Sequence, residues 1–323
     1  MSIEKPRPTP RRNSTGLARD IEILETLGRP EAISSGGLGV TRIAELTGRD
    51  KTVISRTLAT LAEAGMVARD TESLTYRIGP RLYALAARTR EASLVVLARP
   101  HLRRIARHTG ETVHLSVLQG GNVLTLVSEQ SDHQIRTAGW EGVTTAAWRT
   151  PSGRVLLSDR DDEGLTAWYD EHGSDGPTIG PGPSDSTPPR FIVLEPPPPQ
   201  SVIVSTIEDL RREIDRIRRD GFALSDQELE MGVVAASAPV TDFSGRIVAA
   251  LNVSAPKARV PGRLTALGQF VAHAARPLSA QLGASQQRVL HDFGHGRMDP
   301  ILARRPRRGR SDRSSSPEPG STG

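Results

Sequence analysis

"GRDKTVISRTLATLAEAGMVARD", residues 48–70, decides the fold. Ile54, Leu58 and Leu61 recur at i, i+4 and i+7, so the stretch predicts a short helix with one buried stripe. Asp50 suits its N-cap, and Gly65 suits the position just past its end. The other side carries Thr52, Ser55 and Arg56, with Lys51 at the start. A soluble helix that gathers two cations and two hydroxyls at its head looks made for an anionic partner.

Upstream, Leu17, Ile21, Leu24 and Leu27 keep helical spacing, and Gly28-Arg29-Pro30 is expected to end that run. "ISSGGLG" (33–39) reads as a loop. Val40, Ile43, Ala44 and Leu46 predict a short second helix closed by Gly48. Residues 17–65 therefore predict three helices, with the tight turn "TGRD" between the second and third. Downstream, "MVARD" and "LTYRIG", separated by "TES", predict a two-stranded hairpin. Three short helices and a hairpin are the parts of a winged helix-turn-helix, whose last helix enters the major groove of DNA. Arginine and lysine pair with phosphate or guanine edges, and hydroxyls suit either backbone or bases. The helix N-terminus adds N–H donors toward a phosphate. The candidate DNA-binding residues are Lys51, Thr52, Ser55 and Arg56, with Thr41 and Arg42 on the second helix and Arg69 and Arg77 on the hairpin.

The charge distribution agrees. The 323 residues carry a formal net charge of +5, but residues 91–296 are net −4. The excess of cations lies at the two ends and in the first ~90 residues, where an anionic polymer would bind. Residues 1–16 read as a disordered basic arm and 286–323 as a disordered Arg-rich tail. There are no cysteines, which removes disulfides, thiol catalysis and Cys-ligated zinc. No apolar run approaches the roughly 20 residues needed to span a bilayer, and the N-terminus lacks an apolar signal region. A cytoplasmic protein with no membrane partner is expected.

Beyond residue 80 the chain predicts a linker helix over 81–92, and Leu82–His108 reads as two helical runs broken at Pro100. The second domain spans 93–285. "TVHLSVLQGGNVLTLVSEQ" alternates around Gly120-Gly121 and predicts a hairpin. "GWEGVTTAAWRTPSGRVLLS" predicts a loop entering a helix, and "IEDLRREIDRIRRDG" an amphipathic helix closed by Gly221. "VVAASAPVTDFSGRIVAALNVSAP" predicts two strands joined by "TDFSG", and a last helix covers 263–283. Residues 173–199, rich in Pro and Gly, read as a flexible insertion.

Residues 37–86 resemble the DNA-binding domain of the IclR family of bacterial transcription regulators. Thr47-Gly48, Arg56-Thr57-Leu58, Leu61, Gly65 and Ile78-Gly79 stand where the family pattern has them. The second half is similar to that family's GAF-like effector-binding domain through Gly221, Asp226, Glu228, Gly232, Pro239-Val240 and Gly245. In the preceding loop the match is partial, with Ala146, Trp148 and Arg154 replacing the usual Pro, His and Lys. The resemblance implies an α+β fold: an N-terminal winged helix-turn-helix and a C-terminal antiparallel sheet flanked by helices. It implies a ligand-responsive regulator that binds near-palindromic double-stranded operator DNA as a homodimer or homotetramer. It further implies an effector pocket lined by Trp148, Pro151, Ser152, Ser225, Val233, Ala235, Asn252 and Ser254, taking a small organic acid or related metabolite. Leu82, Leu85 and Ala86 are the expected dimer contact. Many relatives have a Cys near Ala235 and an Asp near Ser225; this chain has neither, so no relative's effector carries over.

Enzymatic readings find little support. There is no G-x-S-x-G elbow, and the three lysines (5, 51 and 257) complete no phosphate-binding loop. "HDFGH" (291–295) has no H-R-D companion, and its glycines disfavour a helix that would pair His291 with His295 on a metal. No metal or cofactor is expected, and His114 and His133 read as ordinary strand residues. The rival readings are a ligand-independent architectural DNA-binding protein and a GAF-like enzyme fused to a DNA-binding domain. The long second domain argues against the first, and the absence of cysteine against the second.

Overall fold

The computed structural model describes residues 14–133, 141–173, 178–179 and 202–284. The expected basic arm (but for its last three residues), most of the Pro/Gly-rich insertion, and the tail with His291 and His295 lie outside the described residues.

The first unit begins with α1 (Ser14–Leu27). α2 (Pro30–Ser34) follows, a helical turn that the sequence reading missed. By spacing alone Pro30 marks a break. In fact it occupies the first helical position, where its missing N–H costs nothing and its fixed φ suits the helix. α3 (Val40–Thr47) ends at Gly48, whose φ of 64° lets its N–H return to Ala44 O. α4 (Lys51–Glu63) starts from Asp50, which caps it by accepting the N–H groups of Thr52 and Val53. β1 (Val67–Arg69) and β2 (Tyr76–Ile78) pair antiparallel as the wing. Leu38 bridges to Tyr76 through two backbone bonds, tying the loop before α3 to the wing. The unit's core is Ile23, Leu27, Leu38, Ile43, Leu46, Ile54, Leu58, Val67 and Tyr76, all buried.

α5 (Pro80–Ala86) buries none of its residues. The chain then breaks at 87–89, and α6 runs unbroken from Arg90 to Thr109. The expected break at Pro100 does not occur. Thr89 caps α6 by accepting the Ala92 N–H. Leu94, Ala98, Leu102 and Ile105 hold the helix against the core, which offsets the one hydrogen bond that Pro100 cannot make.

Among the described residues, the second unit is built on a seven-stranded antiparallel sheet. Its strands are β3 (Thr112–Gln119), β4 (Asn122–Glu129), β5 (Thr144–Ala146), β6 (Thr178–Ile179), β7 (Ala223–Asp226), β8 (Val233–Thr241) and β9 (Ile247–Pro256). Their spatial order is β6-β5-β4-β3-β9-β8-β7. α6 and α10 (Leu264–Gln281) cover one face. They pack on Val113, Leu115 and Val117 of β3, on Val234, Ala236 and Ala238 of β8, and on Leu251 and Val253 of β9. α7 (Pro151–Leu157), α8 (Asp162–His172) and α9 (Ile207–Asp220) share the second core with Val123, Ala146 and Ala250. Side chains alternate along a strand, so the residues between the apolar ones in β3 and β9 face the α7 side. Those residues are His114, Ser116, Asn252 and Ser254, polar and yet buried. Among the described residues, no helix is long and apolar enough to cross a membrane.

Candidate functional site

The first candidate surface is the head of α4. Lys51, Thr52, Ser55 and Arg56 are all exposed, while Ile54 and Leu58 are fully buried beneath them. One expectation needs correcting. The N-terminus of α4 is not a free phosphate seat, because Asp50 Oδ1 accepts the N–H groups of Thr52 (2.8 Å) and Val53 (3.3 Å). Those bonds hold the Asp50 carboxyl below its ordinary pKa, so a negative charge stands at the helix end. Partners must be met by side chains.

The other expected contacts divide. Thr41 is exposed on α3. Arg42 is also exposed, but Glu31 binds it through two hydrogen bonds (2.8 and 3.2 Å) and Glu45 through a third at 3.2 Å. On the wing, Arg69 pairs in register with Tyr76, and Arg77 with Ala68. Residues one step apart in register point to opposite faces, so one approaching surface cannot meet both arginines squarely. Arg69 lies over the Tyr76 ring at 5.7 Å.

The second candidate is a cavity between α7 and the polar face of the sheet, with about 640 Å³ of atom-free space counting its open mouth. Seven of the eight expected residues line it: Pro151, Ser152, Ser225, Val233, Ala235, Asn252 and Ser254. Trp148 does not. Its ring packs in the second core, with the Arg149 guanidinium 4.7 Å from its centroid, and borders a separate small cleft with Val202, Val204 and Glu228.

Several lining residues escaped the sequence reading, among them His114, Ser116, Thr125, Thr145, Thr150 and Glu230. His114 is more than an ordinary strand residue. Its ring bridges Ser128 Oγ (2.8 Å, Nδ1) and Ser254 Oγ (2.9 Å, Nε2). Burial pushes its pKa down to about 4, so at neutral pH it is an uncharged donor and acceptor. His133 lies in a bend rather than in a strand. Burial also raises the Glu230 pKa. Among the described residues, no lysine or arginine lines the cavity.

α7 is built to meet this cavity. Thr150 caps it by accepting the Gly153 N–H at 3.0 Å. Gly153 is required by close approach, since a Cβ there would lie 2.0 Å from Ala147 O. Behind the lining, Arg154 is fully buried. Its Nη2 donates to Glu228 Oε2 at 2.5 Å, and its Nη1 lies 3.5 Å from Glu213 Oε2 without a hydrogen bond. Burial outweighs the neighbouring arginine at Glu228 and raises its pKa. This ion group ties α7 and α9 to the segment 227–232, whose Leu229 and Glu230 reach the cavity. Among the described residues no cluster of three or more His, Asp or Glu could hold a metal.

The comparisons with known proteins agree with both halves. A model of the IclR helix-turn-helix domain matches residues 16–71, and one of the bacterial transcriptional regulator IclR C-terminal domain matches 86–178 and 201–280. The chain belongs to the IclR family. It is a transcription regulator with a DNA-binding helix-turn-helix. Its IclR relatives include the HTH-type transcriptional regulator BhcR of Paracoccus denitrificans, 31% identical over 265 residues, which are 81% of this chain and 85% of BhcR. The IclR structure from Thermotoga maritima aligns with a TM-score of 0.61 at 22% identity, covering 84% of this chain and 99% of that one. An IclR homolog from Microbacterium hydrocarbonoxydans, complexed with 4-hydroxybenzoate, aligns at 0.61 with 20% identity over 82% of this chain and 99% of its own. At those identities the two structures establish the fold alone.

Proposed function

We propose that this IclR regulator binds near-palindromic operator DNA through α4, as a homodimer or a pair of dimers. In this reading Lys51, Thr52, Ser55 and Arg56 enter the major groove, and Thr41 and the wing flank it, with one of Arg69 and Arg77 on the wing face turned to the DNA. Arg42 contributes least, because Glu31 and Glu45 already engage it. The exposed face of α5, with Leu85 and Ala86 beside the half-buried Leu82, joins the protomers. The protein acts in the cytoplasm as a repressor, and a small molecule bound in the α7 cavity changes its hold on DNA.

The effector is a small organic acid or a related polar metabolite. A relative complexed with 4-hydroxybenzoate supports that class. Here, with no cation among the described lining residues, a carboxylate would be held by the hydroxyls of Thr150, Ser152 and Ser254 and by the Ser152 N–H. Pro151, Ser152, Ser225, Val233, Ala235, Asn252 and Ser254 form the site in this reading, and Trp148 supports it from the neighbouring core.

The observation that carries the DNA reading is the two-faced α4: a fully buried apolar stripe under an exposed head of two cations and two hydroxyls. The test is operator affinity of Arg56→Ala on a sequence selected from random duplexes. The variant should fold as wild type and bind about 1–3 kcal/mol more weakly. Unchanged affinity in the folded variant would remove α4 from the interface.

A further inference from the structure

The head of α4 also carries an apolar side chain with no work to do inside the fold. Val53 is 46% exposed, although its neighbour Ile54 is fully buried. It belongs neither to the buried core of its unit nor to the side chains packed around it. The other large exposed apolar residues of this unit lie elsewhere, in α1 (Leu17, Ile21), α2 (Ile33) and the wing turn (Leu74). Within α4, Val53 is surrounded by Lys51, Thr52, Ser55 and Arg56, and it shares a helix ridge with Arg56 three residues on. Asp50 already consumes the Val53 backbone N–H, so the side chain is what this residue can offer a partner.

We propose that Val53 selects thymine by packing on its C5 methyl group in the major groove, beside the contact made by Arg56. The inference rests on α4 being the recognition helix, as proposed above. Major-groove base edges present hydrogen-bonding groups on every pair, and the thymine methyl is their one apolar feature. A valine pressed on a guanine or cytosine edge would desolvate polar groups and return no hydrogen bond. Against the methyl it buries apolar surface on both sides. Val53 therefore discriminates thymine from cytosine, and also from uracil, which differs from thymine only by that methyl.

The experiment uses the full chain and an operator selected from random duplexes. Each thymine of a half-site is replaced in turn by deoxyuracil. Affinities are measured for wild type, Val53→Ala and Arg56→Ala, with circular dichroism and melting confirming the fold of each. One thymine per half-site should prove sensitive, its replacement weakening wild type by about threefold to fivefold, the worth of one buried methyl. Val53→Ala should bind the thymine and deoxyuracil duplexes equally. Arg56→Ala should bind more weakly overall and still prefer thymine. If every replacement affects wild type and Val53→Ala alike while Arg56→Ala loses affinity, the thymine contact is wrong and the recognition helix stands. If Arg56→Ala and Val53→Ala both bind like wild type, the recognition-helix reading fails and takes this inference with it.

Discussion

Acidification should weaken the effector-binding unit through His114, and replacing that residue should remove the effect. The ring is buried between Ser128 and Ser254, and its pKa is pushed down to about 4 from an ordinary 6.5. Between those values the unfolded chain binds a proton that the folded chain refuses, so stability is lost as pH falls. The gap is worth on the order of 3 kcal/mol in full below about pH 4, and most of it is lost between pH 6.5 and 4.5. Burial raises the pKa of Glu228 and Glu230 instead, so their contribution has the opposite sign and grows with acid. Comparing wild type with His114→Gln cancels those carboxyls, provided Glu230 in the same lining responds alike in both. The assay is urea unfolding from pH 7.5 to 4.5, followed by tryptophan fluorescence. All three tryptophans (140, 148 and 168) fall within residues 86–178, the stretch matched by the IclR C-terminal domain, so the signal reports that unit. His114→Gln should begin less stable at pH 7.5, having lost hydrogen bonds, and should then lose less than wild type on acidification. Parallel losses in the two proteins would show that His114 titrates normally and is not sealed in the sheet.

Two further outcomes follow from packing and charge. Arg154→Met should destabilise the C-terminal unit by about 3 kcal/mol, because it strands the buried Glu228 carboxyl and leaves Glu213 with Arg216 alone. Adding Glu228→Gln should recover part of the loss, and an unchanged midpoint in the single variant would contradict the ion group. Leu85→Glu places a charge on the exposed face of α5. Light scattering should then find smaller assemblies with weaker operator binding, whereas wild-type assembly would move the protomer contact elsewhere.

What the sequence revealed depended on how local the cause was. α4 was legible because its cap, stripe and terminator lie within sixteen residues, Asp50 to Gly65. α2 was missed because a proline after a glycine reads as a stop, though a first-turn proline starts a helix as readily. The continuous α6 was missed for a related reason: what tolerates Pro100 is packing against strands far along the chain. His114 and Ser116 could be seen to share one face of β3 by simple alternation. That they meet Asn252 and Ser254 across the sheet is set by pairing over some 140 residues (His114 opposite Asn252, Thr112 opposite Ser254), which nothing local records. Arg69 and Arg77 were grouped as wing cations, but a single step of hairpin register separates them onto opposite faces. The seven cavity residues came from resemblance to a family and not from any pattern within the chain.

The claim at the centre of this account is that the α7 cavity controls the operator affinity of α4. Ala235 is suited to test it: the residue lines the cavity and is half-buried, and the side-chain hydrogen bonds around the void are made by other residues. Small carboxylic acids and uncharged polyols would first be screened for a thermal shift on wild type. Operator affinity would then be measured with and without the best ligand for wild type and Ala235→Leu. The account predicts that the ligand changes wild-type affinity by about fivefold or more, and that Ala235→Leu ignores it while binding ligand-free operator within about twofold of wild type. A full ligand response in Ala235→Leu would place the effector elsewhere and contradict the account.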